Sequence, residues 1–364
     1  MPLRARRTRH HYRHGSRAVT RVLLTGAAGF IGSHLRSALT ERGHDVVAVD
    51  GMIPAAHGSD AIAPDGVLVT DLRQASLVEL LDGVDVVCHQ AARVGAGVDA
   101  RDAPDYAADN DLVTARLLAA MFETRCQRMV LASSMVVYGD GTYRDGFGTI
   151  VDPPARSTAD LEAGRFERYL PSGEPAVWAL TPEDAPLAPR SYYAASKAAQ
   201  ESYCRAWSLE TRGAVTALRY HNVYGPHMPR DTPYAGVAAI FRSQLEARQA
   251  PTVFEDGGQM RDFVHVSDIA AANVAAIERL ASETGSGRFE AFNVCSGQPI
   301  SIKQVAESLT TGISGPAPVT TGRYRPGDVR HIVADPALAA AELGFRASIM
   351  PERGLREFAT APLR

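Results

Sequence analysis

Tyr193 and Lys197 stand four residues apart at the start of a stretch whose pattern predicts a helix to about Thr211. Four residues is close to one helical turn, so the phenol and the ammonium emerge on one face. A tyrosine ordinarily titrates near pH 10, and a neighbouring cation stabilises the phenolate, which makes such a pair a candidate base near neutrality. Ser134, at the end of an apolar run Met129-Val130-Leu131-Ala132-Ser133, adds a hydroxyl that donates to the same reacting oxygen. Together the three are suited to orient one hydroxyl group and remove its proton. A Tyr-x-x-x-Lys spacing alone is equally natural on a solvated helix, so its weight depends on what surrounds it.

Upstream, Thr25-Gly26-Ala27-Ala28-Gly29-Phe30-Ile31-Gly32 follows a short apolar run and precedes a helical pattern. Glycines at this spacing permit a tight turn, close backbone approach to a pyrophosphate and close helix–sheet packing, and the helix N-terminus faces the negative charge. Gly26, Gly29, Phe30, Ile31 and Gly32 are therefore the expected cofactor-facing turn. Asp50 lies eighteen residues past Gly32 at the end of the second predicted strand. Its carboxylate is placed to accept from both adenosine ribose hydroxyls and to repel a 2′-phosphate, which selects NAD over NADP. A positively charged nicotinamide would further favour the Tyr193 phenolate.

The elements that position these groups read as alternating short apolar strands and amphipathic helices. Val22-Leu23-Leu24, Val46-Val47-Ala48-Val49, Val67-Leu68-Val69, Val84-Asp85-Val86-Val87-Cys88 and Met129-Val130-Leu131-Ala132 are strand-like, and Val215 to Tyr220 supplies another after the Tyr193 helix. Near-continuous apolar strands separated by helices imply a parallel sheet covered on both faces. The expected fold is α/β, a Rossmann-type doubly wound parallel sheet with a smaller C-terminal α/β substrate lobe. The expected division is a basic tail over 1–18, a dinucleotide-binding domain over 19–222, and a lobe over 223–364 built partly from separate segments. Between about 140 and 187 periodicity gives way to Gly, Pro and charge, which predicts a substrate-side flap.

A chain of 364 residues with 45% hydrophobic content fills such cores, and a net charge of −3 gives no global attraction to nucleic acid or to an anionic membrane. An anionic ligand must be held by local groups. No apolar run approaches the roughly 20 residues that span a bilayer. Cys88, Cys126, Cys204 and Cys295 lie far apart within core-like segments, as expected of buried free thiols in a reducing cytoplasm. Residues 1–18 carry six arginines and three histidines without an apolar stretch, which excludes a secretory signal and reads as a solvated extension.

As a set these residues resemble the extended short-chain dehydrogenase/reductase family, from Val19 to about Ala361. Ser133-Ser134-Met135-Val136-Val137-Tyr138-Gly139 is similar to that family's catalytic-serine strand end, and Tyr193 to Lys197 to its Tyr-x-x-x-Lys. The resemblance implies that Asp71 and Leu72 lie on the adenine side, that Ala91 and Ala92 border the dinucleotide, and that Asn110 supports the cofactor from beneath. Val113 departs from the glycine usual before Thr114. Arg219-Tyr220-His221-Asn222-Val223-Tyr224-Gly225-Pro226, Arg261 to Val266, Asn293 to Gly297 and Arg325-Pro326-Gly327-Asp328 resemble nucleotide-sugar enzymes within the family. The likeness implies that Asn222, Arg261 and Arg325 contact a nucleotide diphosphate, for which guanidinium forks are chemically suited. His221 stands where the family usually has phenylalanine. Helices near Asp105 to Thr124 and Ser196 to Arg212 pair across a two-fold axis in many relatives, which implies a homodimer.

Related dehydratases carry an acidic pair after the strand-end serine or threonine, and related decarboxylases a glutamate there; this chain has Met135 and Val136. One reversible hydride transfer with a retained NAD remains, as in a sugar 4-epimerase. Val137 to Tyr143, Leu161 to Glu167, Tyr234 to Phe241 and Phe254 to Gly258 are similar to dTDP-L-rhamnose 4-epimerase-like proteins. A dTDP-6-deoxyhexose is thus the favoured nucleotide-diphosphate sugar, with a UDP-hexose as the other choice. Some of those relatives have paired cysteines in the flap; this chain has none there, so no metal is expected. A 4-ketoreductase using NADH or NADPH would employ the same three residues once, and a non-catalytic dinucleotide-binding scaffold would need only the glycine turn.

Overall fold

The computed structural model describes residues 19–95, 97, 99–230, 236–282 and 287–364. The basic tail 1–18 and positions 234–235 lie outside the described residues.

Seven strands form one sheet: β1 (Arg21–Thr25), β2 (Asp45–Asp50), β3 (Val67–Val69), β4 (Val86–His89), β5 (Arg128–Ser134), β6 (Ala214–Tyr220) and β7 (Arg288–Val294). Their order is β7-β6-β5-β4-β1-β2-β3, and every pairing is parallel. Val22 and Leu24 of β1 enter one core cluster and Leu23 enters another, as expected when alternate side chains leave opposite faces. Helices α1 (Phe30–Glu41) and α4 (Val266–Ser282) cover the first face through Leu35, Leu39, Ile269 and Ile277. Helices α2 (Val113–Thr124) and α3 (Tyr192–Thr211) cover the second through Leu117, Met121, Cys204 and Trp207. Both faces are covered, which is why the strands read as unbroken apolar runs rather than alternations. The strand order reverses at β1 and β4, and a crevice opens beyond the carboxyl ends of those two strands.

The chain beyond residue 222 does not all leave this sheet. β7 extends it beside β6, and α4 packs on β4, β5 and β6, so a cut at 222 runs through the large unit. The smaller lobe is assembled from the helices Val237–Glu246, Ile302–Ile313 and Pro351–Phe358 around Tyr224, Phe241, Phe263, Leu309 and Phe358.

Residues 140–187 form a small antiparallel sheet with Thr142–Arg144 between Ile150–Val151 and Val177–Ala179. Ion pairs fasten it to the lobe: the Arg330 guanidinium meets Glu167 at 2.6 Å, Glu255 at 2.8 Å and Asp256 at 2.7 Å, and Arg156 meets Glu255 at 2.8 Å. Strands of two or three residues are too short to show a period, so this segment is structureless only in sequence. The four cysteines are free and buried. Burial pushes the Cys88 thiol up to about 12 and Cys126 to about 11, which leaves both inert.

Candidate active site

The crevice has a volume of about 380 Å³ and is lined from the glycine turn to the Tyr193 helix. Gly26, Gly29, Phe30, Ile31, Gly32, Asp50, Asp71, Leu72, Ala91, Ala92, Tyr193 and Lys197 all border it; Ser134, Asn110, Asn222, Arg261 and Arg325 do not.

The glycine turn admits no side chains at two of its positions. Gly26 has φ +68°, and a Cβ there would lie 2.8 Å from the Ala91 nitrogen. A Cβ on Gly32 would lie 2.0 Å from the Gly26 carbonyl oxygen. The α1 N-terminus that follows has no side-chain cap, so its N–H groups are open to an anion. A cradle that one methyl group would fill, ending on a bare helix N-terminus, fits a dinucleotide pyrophosphate. Gly32→Ala is accordingly expected to remove bound dinucleotide and to cost about 1–3 kcal/mol of stability through overpacking. Quantifying cofactor released on denaturation checks this, and a wild-type content in the variant would contradict it.

Asp50 receives the Ala28 N–H at 3.0 Å and the Met52 N–H at 2.9 Å, and pairs with His57 at 3.1 Å. Burial pushes its carboxyl up, but His57 and the two N–H groups outweigh it and hold Asp50 below the ordinary value. Asp71 is bound by the Arg73 guanidinium at 2.8 Å, and Arg73 also reaches Asp109 at 3.0 Å. Asn110 is fully buried behind the wall: its Oδ1 accepts the Arg93 N–H at 2.7 Å, and its Nδ2 donates to the Arg93 carbonyl at 3.0 Å and to Ser196 at 2.8 Å. It ties the crevice wall to α3 without touching the crevice.

A buried column links β1 to the same helix. The Gln90 and Ala91 N–H groups both donate to Thr25 Oγ1 at 3.1 Å, which leaves the Thr25 proton for His89 Nδ1 at 2.8 Å. The imidazole then donates from Nε2 to Thr114 at 3.1 Å, and Gln200 donates to Thr114 at 2.6 Å. Burial, aided by the Lys197 charge, pushes His89 down to about 3, so it stays neutral.

Next to the far end of the crevice the Ser134 hydroxyl stands beside the Tyr193 phenol and favours its phenolate. The Lys197 ammonium donates to the Ala132 carbonyl at 2.8 Å, two residues before Ser134 on β5. Ser133 is engaged elsewhere, donating to Glu201 at 2.5 Å. The expectation that Lys197 lowers the Tyr193 pKa is corrected here. Burial is the larger effect and pushes the phenol up to about 12, with the neighbouring Ser134 hydroxyl opposing it. Lys197 itself is pushed down to about 8 by burial, against the charges of Glu201 and Asp111.

Sequence reasoning missed Glu201. It lies four residues past Lys197, one turn further along the same face, a spacing that was visible. Its carboxylate accepts from Arg219 at 2.9 and 2.7 Å, and Arg219 donates to Tyr138 at 2.7 Å, which donates to Asn293 at 2.8 Å. This buried network spans β5, β6, β7 and α3 directly beneath the serine and lysine. His57, Asp109 and Asp111 were also missed, since only the fold brings them to Asp50, to Arg73 and Arg93, and to Lys197.

On the lobe side, Arg261 donates to the carbonyls of Val329 at 2.6 Å and Arg330 at 2.9 Å, and burial pushes it down to about 10. Arg325 is exposed and stacks over Phe254 at 5.2 Å. The two guanidinium groups therefore have different protein partners. Among the described residues, Asn222 Oδ1 and both His221 ring nitrogens are buried without hydrogen-bond partners, and burial pushes His221 down to about 3, so its imidazole is neutral.

The sequence matches the model of the "NAD dependent epimerase/dehydratase family" over residues 22–158 and 172–295. It is 33% identical to a dTDP-L-rhamnose 4-epimerase of Burkholderia thailandensis over 355 aligned residues, covering 93% of this chain and 94% of that protein. Among solved structures it is similar to a Thermus thermophilus UDP-glucose 4-epimerase complex with NAD, with a TM-score of 0.72, 28% identity, and 93% and 98% of the two chains covered. It is also similar to MoeE5 in complex with UDP-glucuronic acid and NAD, with a TM-score of 0.72, 31% identity, and 93% and 97% covered.

Proposed function

The chain belongs to the NAD-dependent epimerase/dehydratase family, and from that premise we propose that it inverts C4 of a nucleotide-diphosphate sugar, a dTDP-6-deoxyhexose such as dTDP-L-rhamnose before a UDP-hexose. It is an NAD-dependent nucleotide-sugar epimerase of the extended short-chain dehydrogenase/reductase type. The observation that carries the reading is the placement of the Ser134 hydroxyl beside the Tyr193 phenol at one end of the crevice, followed at once by the turn Met135–Tyr138, which has no carboxylate. That arrangement serves proton and hydride movement at one carbon and lacks the extra acid and base that dehydration needs.

The glycine turn and the α1 N-terminus would hold the pyrophosphate of NAD, Asp50 the adenosine ribose, and Ala91 and Ala92 the wall. When bound, NAD supplies the hydride acceptor and donor at C4. Ser134 donates to the C4 oxygen and fixes it against Tyr193, which takes the hydroxyl proton as the 4-keto sugar forms and returns it as the carbonyl is reduced. Lys197, held on Ala132, sets a positive charge beside that oxygen's path. Asn222, Arg261 and Arg325 are proposed to anchor the diphosphate, with the two unpartnered polar groups of Asn222 and His221 facing substrate. Anchoring the nucleotide while leaving the hexose free to turn is what inversion requires.

A phenol near 12 is protonated at neutral pH, so the base form depends on a further positive charge in the crevice. Binding of oxidised NAD is expected to lower that value and release protons. NAD affinity should therefore rise with pH between 7 and 10 more steeply in wild type than in Tyr193→Phe. The comparison cancels contributions from Lys197 and Asp111, and equal slopes would contradict it.

Leu112, Phe122, Tyr203 and Leu209 are exposed apolar side chains on or beside α2 and α3, which supports a homodimer through those helices. Four buried free thiols suit a reducing compartment such as the cytoplasm. The substrate is tested by incubating protein purified without added cofactor with dTDP-L-rhamnose and with UDP-hexoses and following C4 configuration by NMR. Inversion of dTDP-L-rhamnose alone supports the favoured sugar. Turnover confined to 4-keto sugars supplied with NADH or NADPH would replace it with a ketoreductase.

A further inference from the structure

Arg364 borders the same crevice, although it is distant in sequence from every motif that builds the site. Its position is set by the lobe. His227 N–H donates to the Pro362 carbonyl at 2.7 Å, Arg364 N–H to the Met228 carbonyl at 3.1 Å, and Arg230 N–H to the Arg364 carbonyl at 3.1 Å. Leu363 and Ala361 pack on the lobe's apolar cluster. From this anchor the guanidinium crosses to the nucleotide side, where Nη1 donates to the Ala28 carbonyl at 2.8 Å and Nη2 to the Ala56 carbonyl at 3.3 Å. Ala28 lies inside the glycine turn, and Ala56 belongs to the short helix Pro54–His57, whose His57 holds Asp50. One side chain thus joins the lobe to both walls of the adenosine-diphosphate end of the crevice.

We propose that Arg364 is a clasp for the dinucleotide: it fixes the glycine turn from the lobe side and donates remaining N–H groups to the cofactor's pyrophosphate. A guanidinium has five donors, and the two carbonyls use two of them. It remains charged at any working pH, and charge-assisted forks to phosphate oxygens are among the stronger hydrogen bonds proteins make. This rests on the reading above in one respect, since an epimerase keeps NAD through every turnover, and a bond between lobe and turn slows its escape.

The test is independent of sugar chemistry. Wild type, Arg364→Ala and Arg364→Lys are purified without added cofactor, and bound dinucleotide is counted after denaturation. Dissociation of NADH is then followed by fluorescence on the reloaded proteins, and affinities for ADP-ribose and adenosine are measured on the stripped proteins. Arg364→Ala is expected to weaken NAD and ADP-ribose about ten- to a hundredfold, as for loss of charged hydrogen bonds, with faster NADH release and adenosine affinity kept. Arg364→Lys should fall between, because it keeps the charge and loses the fork. Wild-type cofactor content and release in Arg364→Ala would overturn the clasp. So would an equal loss for adenosine, which would reduce Arg364 to a support of the turn. Either outcome leaves the epimerase reading to be decided by the C4 assay.

Discussion

Tyr193→Phe is expected to lower kcat by about 10²–10⁴-fold, the usual worth of a positioned acid–base group, while the protein keeps its NAD. Only one hydroxyl is removed, from a ring that packs 6.1 Å from Tyr106 and donates no bond to the glycine turn. Dinucleotide content and melting temperature should stay near wild type, and KM should change less than kcat, because the phenol acts most strongly on the oxygen as its charge changes. A kcat within threefold of wild type would remove Tyr193 from the chemistry and with it the role of Ser134.

The second large effect is on folding. Glu201→Ala would leave the Arg219 guanidinium buried without its carboxylate and Ser133 without its acceptor. Breaking a buried pair from one side costs about 3–5 kcal/mol, whereas replacing both partners by apolar groups is often far milder. The single variant should melt well below wild type, and Glu201→Ala with Arg219→Met should regain much of the loss. A melting curve for Glu201→Ala that overlays wild type would show that the network is not structural. Removing the carboxylate also removes the largest charge opposing the desolvation of Lys197, so its ammonium should titrate lower still.

What was legible in the sequence is what short stretches of chain encode by themselves. The glycine turn, Asp50 at a strand end and the Tyr193–Lys197 spacing are local patterns, and the large sheet follows from strands that must be apolar on both faces. β7 was not separable from the lobe because its place in the sheet depends on pairing with β6, across some seventy residues of intervening chain. The flap's strands of two and three residues fall below any detectable period. Electrostatics misled in one instance: proximity of Lys197 to Tyr193 follows from spacing, but burial, which dominates the phenol, is a tertiary property. The same holds for His57 on Asp50 and for Arg364 on Ala28, where each partner is unremarkable in its own segment.

The central claim is that one hydrogen leaves C4 and returns to the same carbon within a single closed site. A nucleotide sugar deuterated at C4, identified as a substrate in the NMR panel, tests it most directly when incubated with protein purified without added cofactor. The account predicts an inverted product that still carries deuterium at C4, with no requirement for external NAD. Product that has lost the label, or that forms only when reduced cofactor is supplied, would contradict it.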